Sequence, residues 1–206
     1  MGACDPISEE QFSRMLRGCT GPYRLRDQCL MEFLGSTGYR ISEALSVTIG
    51  QVWDGSKVRD DIQVSTEHMK KKTPRDRVLL HPDCKHAILK WLTQLAHTFG
   101  RLDPTWKLFC GRKSHGGLTA ITREHAFRVI QAVAVSVGLV TIRVGTHSFR
   151  KYLAIKVYLH FKKDLLLVQQ VLGHVSIDST RVYVQKALAA KDVRKAYLLP
   201  RRRQAA

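Results

Sequence analysis

Apolar positions along this 206-residue chain fall mostly at helical spacing. Leu25, Cys29, Leu30, Phe33 and Leu34 recur every three or four residues, which predicts a helix over 24–36. A shorter helix before it begins at Ser8-Glu9-Glu10-Gln11, a capping-box pattern, and carries Phe12, Met15 and Leu16. Thr37-Gly38 ends the second helix; Gly38 suits a left-handed C-cap, and Arg40 falls at the corner beyond. Ser42-Glu43 can open the next short helix, with Ile41, Ala44 and Leu45 inward. Pro82 opens a long helix to about residue 98, with Ala87, Ile88, Trp91, Leu92 and Leu95 on its core side. Residues 122–137 repeat the pattern and Gly138 closes it. Thr146 can cap a helix over 148–161, and Asp164 caps one over 165–172 that Gly173 ends. Ser176 or Asp178 starts the helix that bears Tyr183, and an amphipathic segment over 186–198 precedes Pro200.

Between residues 51 and 80 the period changes. Segments 51–53, 58–65 and 77–80 read as three short strands, with Asp54-Gly55 as the hairpin signal between the first two. The loop over 67–76 carries Lys70-Lys71-Lys72-Thr73-Pro74-Arg75, a basic tip suited to a phosphate or to plain solvation. Leu108-Phe109 reads as a short buried patch and 111–117 as a polar, basic loop. The expected fold is therefore mainly α with a small three-stranded antiparallel sheet. Residues 1–200 are expected to form one domain, with 201–206 as a basic C-terminal tail.

Charge sharpens this picture. The chain carries a formal net charge of +17. Residues 141–206 hold 14 Lys/Arg and 3 Asp/Glu, a net of +11, and the remaining 140 residues hold +6. A basic C-terminal third of this kind calls for a polyanion, and the nucleic-acid backbone is the obvious one. The five cysteines, an odd number with no CxxC, argue against a disulfide framework. The N-terminus has no apolar leader core, and Pro6 stands where a myristoylation signal wants Ser or Thr. No apolar run reaches membrane-spanning length, so a cytoplasmic location is expected.

One constellation carries chemistry: His147-Ser148-Phe149-Arg150, then Leu172-Gly173-His174, then Tyr183, with Arg40 and Lys72 far upstream. Metal-free cleavage of a phosphodiester needs a nucleophile, cations on the non-bridging oxygens and an acid for the departing oxygen. A tyrosine can form a covalent link that conserves the bond's energy. Arginine grips two phosphate oxygens with a fixed fork, and histidine bonds an oxygen or moves a proton. His147 and Arg150, three apart, share a helix face. The other histidines show no metal-ligand spacing, so neither metal nor cofactor is expected. Each residue also has an ordinary reading: Arg40 can be a helix-corner ion pair to Glu43, and Tyr183 a half-buried core tyrosine.

Taken together, these residues resemble a known family. Thr37-Gly38-Tyr39-Arg40-Ile41-Ser42-Glu43, Lys72-Thr73, His147-x-x-Arg150, Leu172-Gly173-His174 and Tyr183 are similar, in order and spacing, to the motifs of the tyrosine recombinases, or phage-integrase family. The resemblance spans most of the chain. It implies a helical catalytic domain with a three-stranded sheet. It also implies attack by Tyr183 on double-stranded DNA to leave a 3′-phosphotyrosine and a 5′-hydroxyl. Arg40 and Arg150 would clamp the phosphate, His147 and His174 assist, and Lys72 act as general acid. No metal is implied. A homo-tetramer on DNA, monomeric or dimeric without it, would act through a Holliday junction in integration, excision, inversion or resolution, as in mobile elements. Tyr39 departs from the usual Leu or Met, and Lys151-Tyr152 from the common His-Thr, both at side positions. No N-terminal core-binding domain is expected in this chain, because the resemblance begins almost at Met1; a catalytic fragment or a short single-domain member, like the fimbrial-switch inversion recombinases, fits.

Two other classes fit the same residues: a DNA-binding regulator without turnover, and DNA relaxation of the type IB topoisomerase kind. Lys70, Lys71, Arg75, Arg112, Lys113, Arg123 and Arg128 are candidate DNA contacts, with a solvated face the alternative for each. If the charge grips phosphates, affinity for duplex DNA should fall with salt at a log–log slope of roughly −5 to −10. Filter binding across a salt series measures it, and a flat response would rule out a backbone-dominated grip.

Overall fold

The computed structural model describes residues 4–64, 77–114, 117–174 and 176–184. The lysines and arginine of the expected basic tip, Lys70, Lys71, Lys72 and Arg75, and the segment after residue 184 lie outside these.

Helix α1 (Glu9–Arg17) starts at a true capping box: the Gln11 amide N–H donates to Ser8 Oγ, and the Ser8 N–H donates back to Gln11 Oε1 at 2.8 Å. Helix α2 (Arg24–Thr37) is the hub. Cys29, Leu30, Met31, Phe33 and Leu34 are all buried, so the helix is covered nearly all round. It packs against α1, α5 (Pro82–Phe99) and α7 (Thr146–His160). Between α2 and α5 come α3 (Ile41–Ser46) and the single turn α4 (Ile49–Val52). After α5, α6 (Arg123–Ser136) packs against α3 and α7. Then α7, α8 (Leu165–Leu172) and α9 (Ile177–Val184) close on a second, smaller core of Leu153, Ala154, Tyr158, Val168, Leu172 and Val184. No helix among the described residues is long and apolar enough to cross a membrane.

Helix-rich architecture is as expected, but the strands differ. Gln51 and Val52 belong to the α4 turn, because the Gln51 side chain folds back to accept the Thr48 N–H at 2.8 Å. The Asp54-Gly55 turn is real, yet it joins only an isolated bridge between Trp53 and Val58. Asp54 Oδ1 accepts the Ser56 and Lys57 N–H groups there, and those bonds pull its carboxyl down to about 2. Of the three expected strand segments, β1 (Asp61–Ile62) and β2 (Val78–Leu79) pair as an antiparallel ladder among the described residues. Among the described residues the single three-stranded sheet is therefore replaced by two two-stranded pieces. The second is the hairpin β3 (Cys110–Ser114) with β4 (Gly117–Ala120), in the segment whose polarity predicts a loop. Its anchors are tertiary: Cys110 and Leu118 are buried, and the Ile121 N–H donates to Phe109 O at 2.9 Å.

Helix α7 begins at Thr146, two residues earlier than Ser148. Gly145 is the N-cap: its N–H donates to Ser148 Oγ at 3.0 Å, while the Ser148 N–H donates to Gly145 O at 2.9 Å. A Cβ at Gly145 would lie 2.7 Å from Cys4 Sγ and 3.2 Å from Phe127 Cε2, so the N-terminal segment packs on this cap. At the other end of the site, Gly38 is left-handed, with φ 63° and ψ 18°. A Cβ there would meet Leu153 Cδ2 at 2.9 Å and Leu172 Cδ2 at 3.0 Å.

Two predictions follow from this packing. Gly38→Ala combines a left-handed backbone with overpacking of α7 and α8, and should cost roughly 2–4 kcal/mol, a fall in melting temperature of about 5–15 °C. Glu32 on α2 is buried, and burial, helped by Asp83 and Glu9, raises its carboxyl to about 7 despite Lys156. Because the folded value exceeds the unfolded one, its contribution is whole below about pH 4.5 and is lost as pH rises through about 7. Glu32→Gln should thus flatten the pH dependence of stability over that window, by on the order of 2–3 kcal/mol, in denaturant titrations at pH 5 and 8.

Candidate active site

Tyr183 stands on α9 and half-buried, its hydroxyl 3.5 Å from Nδ1 of His147 on the first turn of α7. The His174 ring meets the Tyr183 ring edge-on, with centroids 5.0 Å apart and planes at 81°. His174 follows Gly173, whose left-handed backbone (φ 61°, ψ 43°) stops α8 and turns the chain toward α9. Its ring is fixed at the other side: Nδ1 and Thr180 Oγ1 are 2.9 Å apart, and both residues are buried. Its backbone is held as well, with the N–H donating to Gln169 O and the carbonyl accepting from Gln169 Nε2, both at 3.0 Å.

Arg150, one turn beyond His147, is almost fully buried, at 1% exposure. Its Nη1 donates to Gly38 O, and its Nη2 donates to Leu172 O at 2.7 Å. One guanidinium therefore joins α7 to the end of α2 and the end of α8. Arg40, two residues past Gly38, is the N-cap of α3. Its N–H donates to Glu43 Oε2 at 2.7 Å and its Nη1 to Glu43 Oε1 at 2.9 Å. The helix-corner ion pair foreseen for Arg40 is thus present. The Arg40 side chain stays 31% exposed while Glu43 is 4% exposed, so the buried carboxylate orients a cation that still faces solvent.

The fold therefore gathers His147, His174 and Tyr183 round one phenol, and sets Arg150 and Arg40 on the two sides of Gly38. Lys72, Lys70, Lys71 and Arg75 lie outside the described residues. Arg112 and Lys113 belong to β3, and Arg123 and Arg128 stand exposed on α6 near Glu124 and His125.

One neighbour went unremarked in the sequence as more than a side position. Lys151 is 8% exposed, donates from Nζ to Cys4 O at 2.7 Å, and holds that ammonium 5.8 Å from the centroid of the Tyr183 ring. Its signal was its place directly after Arg150; the contact itself needs the α7–α9 packing. Thr180 is a second, visible only as the residue three before Tyr183 on the same helix face. The phenol stands at the open surface. A cavity of about 650 Å³, lined by Trp53, Leu92 and Arg101, lies elsewhere, between α4 and α5. An open site suits a rod-shaped polymer better than a small molecule.

The chain is also similar to known proteins in sequence and in fold. Tyrosine recombinase XerD of Neisseria meningitidis is 26% identical over 184 residues, covering 88% of this chain and 58% of the relative. The chain thus spans little more than half the length of such relatives. The crystal structure of XerA recombinase superposes with a TM-score of 0.71 at 23% identity, over 98% of this chain and 67% of that one. XerH site-specific recombinase bound to its difH substrate gives 0.68 at 22% identity, over 93% of this chain and 53% of that one. The phage integrase family model matches residues 6–189, and the chain belongs to that family.

Proposed function

We propose that this chain breaks and rejoins DNA at specific sites, through a covalent 3′-phosphotyrosine at Tyr183. The observation that carries the reading is the placement of the Tyr183 hydroxyl 3.5 Å from His147 Nδ1, with the His174 edge against its ring. With Nδ1 unprotonated, His147 accepts the phenolic proton as the phenol oxygen attacks phosphorus, and the contact tightens when a phosphate is bound. The new bond is tyrosine O–P; the bond broken is that to the 5′ oxygen, which leaves with a proton from Lys72. Arg40 and Arg150 balance the charge that builds on the non-bridging oxygens. His174, held by Thr180, supports one of those oxygens. Rejoining reverses each transfer with a 5′-hydroxyl as attacker, so neither ATP nor a metal enters the balance.

Arg150 is covered in this structure, so a phosphate meets it only when the groups over it shift. The guanidinium here holds the ends of α2 and α8 together. The partner is double-stranded DNA, for which the net +11 over residues 141–206 supplies the attraction. Strand exchange between two sites needs four such chains, assembled on the DNA in the cytoplasm.

Tyr183→Phe should leave duplex affinity within about threefold and lower covalent adduct by at least about a thousandfold. A nicked suicide substrate, read as a protein–DNA band on a denaturing gel, checks this; adduct surviving in the variant would place the nucleophile elsewhere. Lys151→Gln keeps a polar, unbranched stem but removes the ammonium over the ring, and should slow adduct formation roughly 3- to 30-fold. Single-turnover kinetics at saturating DNA checks it, and an unchanged rate would make Lys151 a packing residue only.

A further inference from the structure

We propose that Glu32, His81 and Asp83 bind a divalent transition-metal ion of the zinc class, at the seam between α2 and the start of α5. The site uses none of the residues assigned to the phenol. One donor atom from each of the three residues lies within 4.8 Å of the other two. Adding an ion therefore asks only for small side-chain rotations, not for a new backbone arrangement.

Glu32 is the second, independent observation. It is nine-tenths buried, at 9% exposure, and its carboxylate has no hydrogen-bond or ion-pair partner among the described residues. It borders a cavity of about 220 Å³ that Glu9, His81, Asp83, Tyr152 and Lys156 also line. A carboxylate largely withdrawn from water, in a residue 9% exposed, gains by taking up a cation or a proton. The cation on hand is committed elsewhere: Lys156 Nζ lies 3.2 Å from Tyr152 Oη and 3.4 Å from Glu9 Oε2. Glu9 is held in turn by the Tyr152 hydroxyl at 2.6 Å. Asp83 Oδ2 lies 3.4 Å from His81 Nδ1, so the second carboxylate of the cluster already leans on the imidazole.

His81 supplies the selectivity. Its Nδ1 accepts the Asp83 N–H at 3.3 Å, which caps α5 and orients the ring. One imidazole with two carboxylates is a borderline-hard donor set that suits Zn²⁺ or Co²⁺ and leaves positions for water. The positive end of α5 opposes a cation here, but the Asp83 carboxylate, joined by that of Glu32 once the ion displaces its proton, outweighs this partial charge. Bound, the ion would join the middle of α2 to the first turn of α5.

The test uses the full chain, stripped with a chelator and then titrated with Zn²⁺ and with Co²⁺. We expect one equivalent bound, a melting temperature higher by roughly 5–10 °C at a hundredfold excess over Kd, and Co²⁺ visible bands without a thiolate charge-transfer band. Glu32→Gln and the exposed-site variant His81→Ala should each weaken binding at least about tenfold; Cys4→Ser and His97→Ala should not. Zn²⁺ bound equally by Glu32→Gln and His81→Ala, a thiolate band, or no binding below about 100 μM would overturn the proposal. Circular dichroism of each variant confirms folding, and His81→Ala keeps the test decisive if Glu32→Gln is unstable.

Discussion

The Arg150 guanidinium, buried and shared between two backbone carbonyls, is the interaction on which the site depends. Gly38 O ends α2 and Leu172 O ends α8, and both carbonyls are of the kind a helix terminus leaves over. A neutral donor could satisfy them, but only a planar fork with several N–H groups can reach both from a third helix. The same cation meets the negative ends of two helix dipoles. Oriented peptide groups thereby help to compensate its charge.

Gly38 makes that brace possible. A left-handed residue with no side chain lets the end of α2 lie within van der Waals contact of Leu153 and Leu172. A Cβ would crowd the tips of Leu153 on α7 and Leu172 on α8, which would have to give way. Gly173 plays the matching part at the end of α8, where it delivers His174 to Thr180 and to the edge of Tyr183. Two glycine stops therefore set the positions of three helices, and the polar groups of the site hang from the corners they make. Arg40 is oriented differently, by the buried carboxylate of Glu43, so the two arginines sit in unlike surroundings. One is presented to solvent by a carboxylate, and the other is held back by carbonyls.

That contrast matters for how a covalent intermediate could be controlled. A phosphate approaching the surface would meet Arg40 and His147 before Arg150. If Arg150 must exchange carbonyls for phosphate oxygens, the cost falls on the α2 and α8 termini. On the proposed function, the chemistry is then coupled to the packing of α8 and of its neighbour α9, which bears Tyr183. Lys151 extends the same coupling to the N-terminal segment, through Cys4 O and the Gly145 cap.

Much of this was legible in the chain itself. Helical periodicity over α2, α5, α6 and α8, together with Ser8, Pro82, Asp164, Gly38 and Gly173 as start and stop signals, depends on neighbours three or four residues away, so local sequence determined those elements. The residue types and order of Arg40, His147, Arg150, His174 and Tyr183 were equally local, and so was the excess of positive charge. What the tertiary structure alone decided is contact. The turn of Gln51 into α4, the strand pairing of a polar segment at Cys110–Ser114, the start of α7 at Gly145 against Cys4, and the approach of Lys151 and Thr180 to the site each depend on a partner distant in sequence or on how two helices dock. A single chain read in order has no access to those distances, because burial and pairing are properties of the assembled core rather than of any window along it.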